Sequence, residues 1–319
     1  MTDPTSLIVG KQSASSVLEL PKDNYFSPLR YPGGKAKLTR YIAELLRLNS
    51  PKKTHYIEPF CGGAGIGISL LANGHISHLH LNDYDRAIYA FWHSVKFQNE
   101  KLCLRIANTD INMESWASQK DVLSNKSSAD FLDLGFATFF LNRTNRSGIL
   151  GGGVIGGREQ KGIWKLNARF NKETLIQRIK LIGQLSEKIS ITNCEARNYI
   201  NKQLPSLHSS SLVYFDPPYF HKGASLYMNA FKNNDHALLA KDIQNKVNQN
   251  WVVSYDNTAE IIGLYSKCEQ ETFSLTYSAQ NHYRGSEVMI FKNGLKRPTN
   301  IFTTRKCSNP NNNNNQSTL

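Results

Sequence analysis

The chain has 319 residues, 40% hydrophobic and 20% charged, enough for one large domain or a domain with a sizeable insertion. Its 38 Lys and Arg against 25 Asp and Glu leave a formal net charge of +13, which favours a polyanionic partner, either nucleic acid or an acidic membrane surface. Five cysteines without a CxxC pair argue against a disulfide framework or a zinc site, no HExxH spacing occurs, and neither a membrane span nor a signal peptide is visible, so a cytoplasmic, metal-free protein is expected.

Residues 1–24 are polar and Ser-rich and are expected to be poorly ordered. Leu38, Tyr41, Ile42, Leu45 and Leu46 then recur at helical spacing. A short strand, His55–Glu58, runs into a Gly-rich turn and a helix through Ile68–Leu71. A second strand, His78–Asn82, leads into a helix carrying Ile88, Phe91, Trp92 and Val95. The stretch 97–205 breaks this alternation. It reads as mainly helical, with Leu175, Ile176, Ile179 and Ile182 on one face and glycines at 151–153, 156 and 157. Its expected role is an inserted substrate-recognition region. Strand Leu212–Phe215, helix Asp235–Val247 and strand Trp251–Tyr255 resume the alternation, and a hairpin, Thr272–Tyr277 with Glu287–Lys292, closes the domain. The tail 294–319, with its run Asn311–Asn315, reads as low-complexity. The pattern is α/β with a mostly parallel sheet built from 25–96 and 206–293.

Two motifs carry chemistry. The first is Tyr56-Ile-Glu-Pro-Phe-Cys-Gly-Gly-Ala-Gly65, a strand running into glycines and then a helix. Glycines there let the backbone approach a ligand at the carboxyl end of a strand, and Asp83, about 20 residues on, has the spacing of a ribose-binding acid. A purely structural turn fits the same glycines, and Asp83 also suits an N-cap before Tyr84–Trp92. The chain lacks GxGxxG and Walker A, which argues against NAD or ATP. The second motif is Val213-Tyr-Phe-Asp-Pro-Pro-Tyr219. Consecutive prolines cannot continue a sheet, so they fix a rigid loop with Asp216 at the strand end. Such a loop suits methylation of an aromatic amino group. The amino nitrogen of adenine is a poor nucleophile because its lone pair is delocalised into the ring. Acceptors for its two hydrogens, here Asp216 and the Pro217 carbonyl, turn that lone pair toward a methyl donor. Tyr219 can stack on the base. A structural turn with a buried tyrosine is the alternative.

Together these motifs resemble the Dam-like, D12-class DNA adenine methyltransferases. Pro28-Leu-Arg-Tyr-Pro-Gly-Gly-Lys35 resembles the N-terminal cofactor motif of that family, and Phe139-Phe-Leu-Asn-Arg-Thr-Asn-Arg-Ser-Gly148 the start of its DNA-contacting region. The order of motifs also matches, over roughly residues 25–293. The resemblance implies a Rossmann-like methyltransferase sheet with helices on both faces and a mainly helical DNA-recognition insertion at 97–205. It implies methyl transfer from S-adenosyl-L-methionine to N6 of a flipped adenine in double-stranded DNA, in a bacterial or phage-encoded enzyme without a metal or an obligate protein partner. Cofactor contacts fall to Tyr31, where some members carry tryptophan, and to Lys35, Phe60, Gly62, Asp83 and Asp216. The run Gly62-Gly-Ala-Gly65 departs from the commoner Gly-Ala-Gly or Gly-Gly-Gly and leaves open which of residues 63–65 lines the pocket. The ammonium of Lys35 suits the methionine carboxylate. The catalytic loop is Asp216, Pro217, Pro218 and Tyr219. DNA contacts fall to Asn142, Arg143, Asn145, Arg146, Arg158 and Arg169 in the basic insertion, which also holds Lys161, Trp164, Lys165 and Asn167, and to Arg284 before the last strand. The rival readings are an RNA adenine methyltransferase, a catalytically silent nucleic-acid-binding relative, and N4-cytosine methylation. The N-terminal motif and long insertion favour DNA, the intact Asp-Pro-Pro-Tyr and Lys35 favour an active enzyme, and Asp216 favours adenine.

Overall fold

The computed structural model describes residues 26–30, 35–50, 52, 54–221, 231–273 and 286–298 in full, and 274–277 and 283–285 as backbone. The expected N-terminal segment 1–24, the tail beyond 298, Tyr31 and the Arg284 side chain lie outside the described residues.

Strands β1 (His55–Glu58), β2 (His78–Asn82), β3 (Ile189–Thr192), β4 (Leu212–Phe215), β5 (Asn250–Asp256), β6 (Glu269–Tyr277) and β7 (Tyr283–Phe291) form one sheet. Their order is β3-β2-β1-β4-β5-β7-β6. The first five are parallel, and β7 is antiparallel to both β5 and β6. The order reverses between β1 and β4, which opens a crevice at the carboxyl ends of those strands, where Rossmann-like folds hold their ligands. Helix α1 (Thr39–Asn49) precedes β1, α2 (Gly65–Ala72) joins β1 to β2 and α3 (Arg86–Phe97) follows β2, while α8 (Asn233–Lys246) and α9 (Ala259–Leu264) flank β5.

Successive strand residues point to opposite faces, and the strands are apolar on both. Tyr56, Leu212, Tyr214, Val252, Met289 and Phe291 join one core cluster with α1–α3. Ile57, Val213, Phe215, Val253, Val288 and Ile290 join the other, with Tyr199, Leu204 and α8. Continuous apolar runs of this kind are what a sheet covered on both faces requires.

Strand β3 corrects the expected boundaries. Residues 189–192 pair with β2, and Ala196, Tyr199 and Leu204 pack into the second core. The helical interruption therefore ends before β3, not at 205. Four residues with only Ile189 buried carry too short a pattern to be told from a loop.

The interruption contains α4 (Asn99–Asn108), α5 (Met113–Ser124), α6 (Phe131–Thr144) and α7 (Lys172–Gln184). It has no core of its own. Helix α6 is buried nearly all round and lies along α3, with the Thr138 hydroxyl donating to the Ala87 carbonyl. Phe139, Phe140, Leu175, Ile179 and Ile182 belong to the same cluster as the sheet's first face. A separate domain would enclose its own core, so these helices are a layer built onto the sheet. No helix among the described residues is long and apolar enough to cross a membrane.

Close contact of α3 with α6 needs Gly135, where a Cβ would stand 2.6 Å from the Ala90 carbonyl oxygen. Gly135→Ala is expected to lower the unfolding free energy by about 1–3 kcal/mol. Because the core is shared, near- and far-ultraviolet dichroism should report a single transition in urea. A separate, earlier transition of the helices would refute the shared core.

Candidate active site

Strand β1 ends at Glu58, and the chain turns through Gly62 (φ 42°) and Ala64 (φ 46°) into α2. A left-handed backbone at two neighbouring positions makes this turn tight, and hydrogen bonds pin it from both sides. The Gly62 amide donates to the Asp83 carboxylate at 2.9 Å, and the Trp92 indole donates to the Gly62 carbonyl at 2.9 Å. The second Asp83 oxygen accepts from the Asp85 amide at 2.9 Å. Asp85, not Asp83, caps α3 by accepting from the Ala87 amide, so the capping alternative for Asp83 falls away. Asn82 fastens the strand ends: its amide donates to the Pro59 and Cys194 carbonyls, and its oxygen accepts from the Cys194 amide. Glu58 accepts from the Gly67 amide at 2.9 Å and so holds α2 against β1.

These groups wall an open cleft at the switch point, with about 1050 Å³ of empty space including its solvent-filled mouth. Lys35, Glu58, Phe60, Gly62, Asp83 and Asp216 line it, as do Gly63, Ala64 and Gly65, which answers the question left by the glycine run. Glu195, Pro218 and Phe231 complete the opposite wall. Burial raises the Asp83 carboxyl to about 7 and the Glu58 carboxyl to about 8, against the lowering effect of the amides they accept from.

Asp216 follows β4 directly and projects to the same sheet face as Tyr214. Its Oδ1 accepts from the Ser254 hydroxyl at 2.8 Å and from Lys35 Nζ at 3.1 Å. Lys35 also donates to the Tyr219 hydroxyl at 2.8 Å and lies 3.5 Å from Glu287 Oε2. The Tyr219 hydroxyl donates to Glu287 Oε1 at 2.8 Å. Burial pulls the Lys35 pKa down, but the charges of Asp216, Tyr219 and Glu287 more than reverse this and hold it well above its ordinary value. Lys35 is therefore not solvated: within the protein its ammonium has the Asp216 and Glu287 carboxylates and the Tyr219 hydroxyl as partners. Tyr219 is 7% exposed, with its hydroxyl in this network, and Lys35 Nζ lies 4.9 Å from its ring centroid. The loop residue in the cleft wall is Pro218, and Pro217 is buried. Beyond the loop, the Phe220 and His221 amides donate to Asp256 at 2.9 and 3.1 Å.

The sequence reading overlooked Glu195, Ser254, Asp256 and Glu287. For Glu287 a signal existed: an acid opens the otherwise apolar run Val288–Phe291.

Two residues expected to contact DNA are turned into the protein. Asn142 is 1% exposed; its oxygen accepts from the Arg30 amide at 2.7 Å, and its nitrogen donates to the Arg30 and Gly148 carbonyls. Asn145 is fully buried, accepting from the Trp116 indole and donating to the Ile149 and Leu150 carbonyls. Each amide is used to brace the chain, leaving nothing directed at a base edge. Arg143 is half-buried and donates to the Arg169 carbonyl. Arg146, Arg158, Lys161, Lys165, Asn167 and Arg169 are exposed. Among them Ile163 and Trp164 stand 93% and 68% exposed. Their loop is folded around Gln160, which donates to the Ile155 carbonyl at 2.8 Å and accepts from the Leu166 amide at 2.8 Å.

A model of the family described as D12 class N6 adenine-specific DNA methyltransferase matches residues 31–282. No curated protein matches. Among solved structures, the chain is similar to the rRNA methyltransferase aviRa of Streptomyces viridochromogenes, at 13% identity and TM-score 0.38, over 88% of this chain and 94% of that one. It is also similar to a precorrin-6y C5,15-methyltransferase of Geobacter metallireducens, at 7% identity and TM-score 0.34, over 80% and 87%. A third is TrmK of M. capricolum in complex with S-adenosyl-homocysteine, at 8% identity and TM-score 0.34, over 78% and 66%.

The buried acids make stability depend on pH. With folded values near 7 for Asp83 and 8 for Glu58, the folded chain keeps protons that the unfolded chain releases near pH 4. Their contribution is present in full below pH 4 and is lost as pH rises through 7 and 8. Glu58→Gln keeps the acceptor for Gly67 and removes one titration. Between pH 5 and pH 9 it is expected to lose less unfolding free energy than the unsubstituted protein, the difference being on the order of a few kcal/mol. Equal losses in urea titrations at the two pH values would contradict the assignment.

Proposed function

The chain belongs to the D12 class N6 adenine-specific DNA methyltransferase family, and from that membership we propose how its own residues carry methyl transfer to an adenine swung out of double-stranded DNA. S-adenosylmethionine, the donor in this family, supplies a methyl group made electrophilic by the adjoining sulfonium. The cleft fits such a molecule. Each Asp83 oxygen accepts one backbone amide, which leaves lone pairs for the two ribose hydroxyls. Phe60 and Phe231 offer apolar wall to a purine, and the turn at 62–65 brings bare backbone to the floor.

The observation that carries the proposal is the placement of Asp216. It stands at the carboxyl end of β4, in the wall of the same cleft as Asp83, with its orientation set by Ser254 and Lys35. An adenine entering beside Pro218 would give its two amino hydrogens to Asp216 and the Pro217 carbonyl. That would turn the nitrogen lone pair toward the methyl donor held beside Asp83, and the proton that the amine sheds on methylation would leave by way of the Asp216 carboxylate to water. Asp216 bound by one ammonium and one hydroxyl needs no reorganisation when charge develops. Drawing the base from the stack costs a few kcal/mol. The exposed cations 146, 158, 161, 165 and 169 suit phosphates, and Trp164 at the tip of a braced loop suits contact with unstacked bases. The DNA-directed family model favours DNA over RNA and adenine over cytosine.

Asp216→Ala is expected to lower methyl transfer by about 100-fold or more while cofactor affinity, measured by calorimetry, changes far less. Full turnover in this variant would sink the proposal. Arg158→Ala and Trp164→Ala are expected to weaken duplex binding and leave cofactor affinity unchanged. The arginine variant should also reduce the slope of log affinity against log salt by about 1. An unaltered slope and affinity in both would remove this loop from the interface.

A further inference from the structure

Strand periodicity places Tyr214, Asp216, Ser254 and Glu287 on one face of the sheet, the face that α1 and α2 cover. Because β7 runs against β5, Glu287 pairs with Asp256 and so arrives at the carboxyl end of β5, beside the crevice. There Glu287 Oε1 accepts from the Tyr219 hydroxyl at 2.8 Å, and Oε2 lies 3.5 Å from Lys35 Nζ. Lys35 in turn donates to Tyr219 at 2.8 Å and to Asp216 at 3.1 Å. The result is a closed ring of Lys35, Tyr219 and Glu287 with Asp216 attached. The side chains of Lys35 and Glu287 are each 2% exposed and that of Asp216 is 22% exposed. Asp216 is the most exposed of the three and lines the cleft together with Lys35, while Glu287 lies behind them.

We propose that Glu287 is a positioning residue for methyl transfer, holding Lys35 and Tyr219 so that one ammonium is shared by two carboxylates and Asp216 stays a strong acceptor. This rests on the role given to Asp216 above. With Glu287 neutral, the whole charge of Lys35 would fall on Asp216. The carboxylate would then be drawn toward the ammonium and would hold the adenine amino hydrogens less strongly. With Glu287 ionised, the ammonium is balanced from behind and the Asp216 lone pairs remain directed at the cleft. In so dry a place the difference is large, since Coulomb interactions there are only weakly screened. Burial raises the Glu287 carboxyl above its ordinary range and Lys35 opposes that rise, so its titration lies closer to the working range than that of a solvated glutamate. The groups that face it are Lys35 before α1, Asp216, Tyr214 and Tyr219 of β4 and its loop, and Asp256 across from it on β5, with Phe273 opposite on β6.

The experiment uses the full chain, tritiated S-adenosylmethionine and genomic DNA from a host without adenine methylation. Rate is followed from pH 5 to pH 9, and labelled nucleosides are separated afterwards. Glu287→Gln is expected to lower kcat about 10- to 100-fold, to change KM for the cofactor less than about threefold, and to flatten the acid limb of the kcat profile. Glu287→Asp should recover part of the rate and restore that limb. Full activity in Glu287→Gln overturns the proposal, as does an equal loss in both variants with the pH profile unmoved. Where thermal melting shows Glu287→Gln to be unfolded, Glu287→Asp decides: reduced kcat with a shifted acid limb supports the role, and an unchanged profile overturns it. Label in a nucleoside other than N6-methyladenine would refute the adenine reading instead, and the variants would still be compared on the acceptor found.

Discussion

The ammonium of Lys35 is the point on which the site is built. It joins three parts of the chain that are far apart in sequence: the segment before α1, the loop after β4, and β7. Taking a charge out of water costs several kcal/mol, and partners recover this only where geometry and hydrogen bonding are nearly complete. Here two carboxylates and a phenol surround it. The arrangement is weak evidence for extra stability. What it provides is a fixed place for Asp216, because moving that carboxylate would strand a buried cation. A rigid acceptor is what a weakly nucleophilic amine requires.

The sheet makes this convergence possible. Parallel strands deliver Glu58, Asp83 and Asp216 at or just beyond their carboxyl ends, on the two sides of the switch point. A further parallel strand at β7 would bring only its last residues to that edge. Reversed, β7 brings its early residues there, and Glu287 reaches Lys35 and Tyr219 while Val288–Phe291 continue into the two cores. The antiparallel strand thus contributes a side chain to the site as well as covering β5.

Much of this was legible locally. Strands His55–Glu58, His78–Asn82 and Leu212–Phe215 fall where the apolar pattern put them, because each is a compact run bounded by Gly, Asp or Pro. The glycine turn and the Asp-Pro-Pro-Tyr loop were readable for the same reason: they are contiguous. What escaped was set by tertiary partners. Strand β3 is short and half-exposed at the sheet edge. Asn142 and Asn145 looked like base readers because an amide in a basic segment has the right donors and acceptors, and only the folded chain reveals that backbone groups already occupy them. Lys35 was recognised as functional, but its partners within the protein were not legible, since they lie 181 or more residues away. Glu287 carried one faint sign, a charge in a buried strand, whose meaning depends on Lys35.

Asn142 also ties the helical layer to the cleft wall. Segment 26–30 supplies Ser27 and Leu29 to the cleft wall. Asn142 of α6 holds both the amide and the carbonyl of Arg30 in that segment, each at 2.7 Å, and reaches the Gly148 carbonyl at 2.9 Å. Gly148 adopts φ +76°, and a Cβ there would stand 2.1 Å from the Arg30 carbonyl oxygen, so no other residue allows this approach. The Ser27 hydroxyl meanwhile donates to the Gly63 carbonyl in the glycine turn at 2.5 Å. One continuous set of hydrogen bonds therefore runs from the turn at 62–65 through 26–30 to the start of the exposed basic loop. The Asn142 side chain is the brace that fixes the distance between the exposed basic loop and the cleft wall. In a reaction governed by positioning, that distance matters as much as any direct contact.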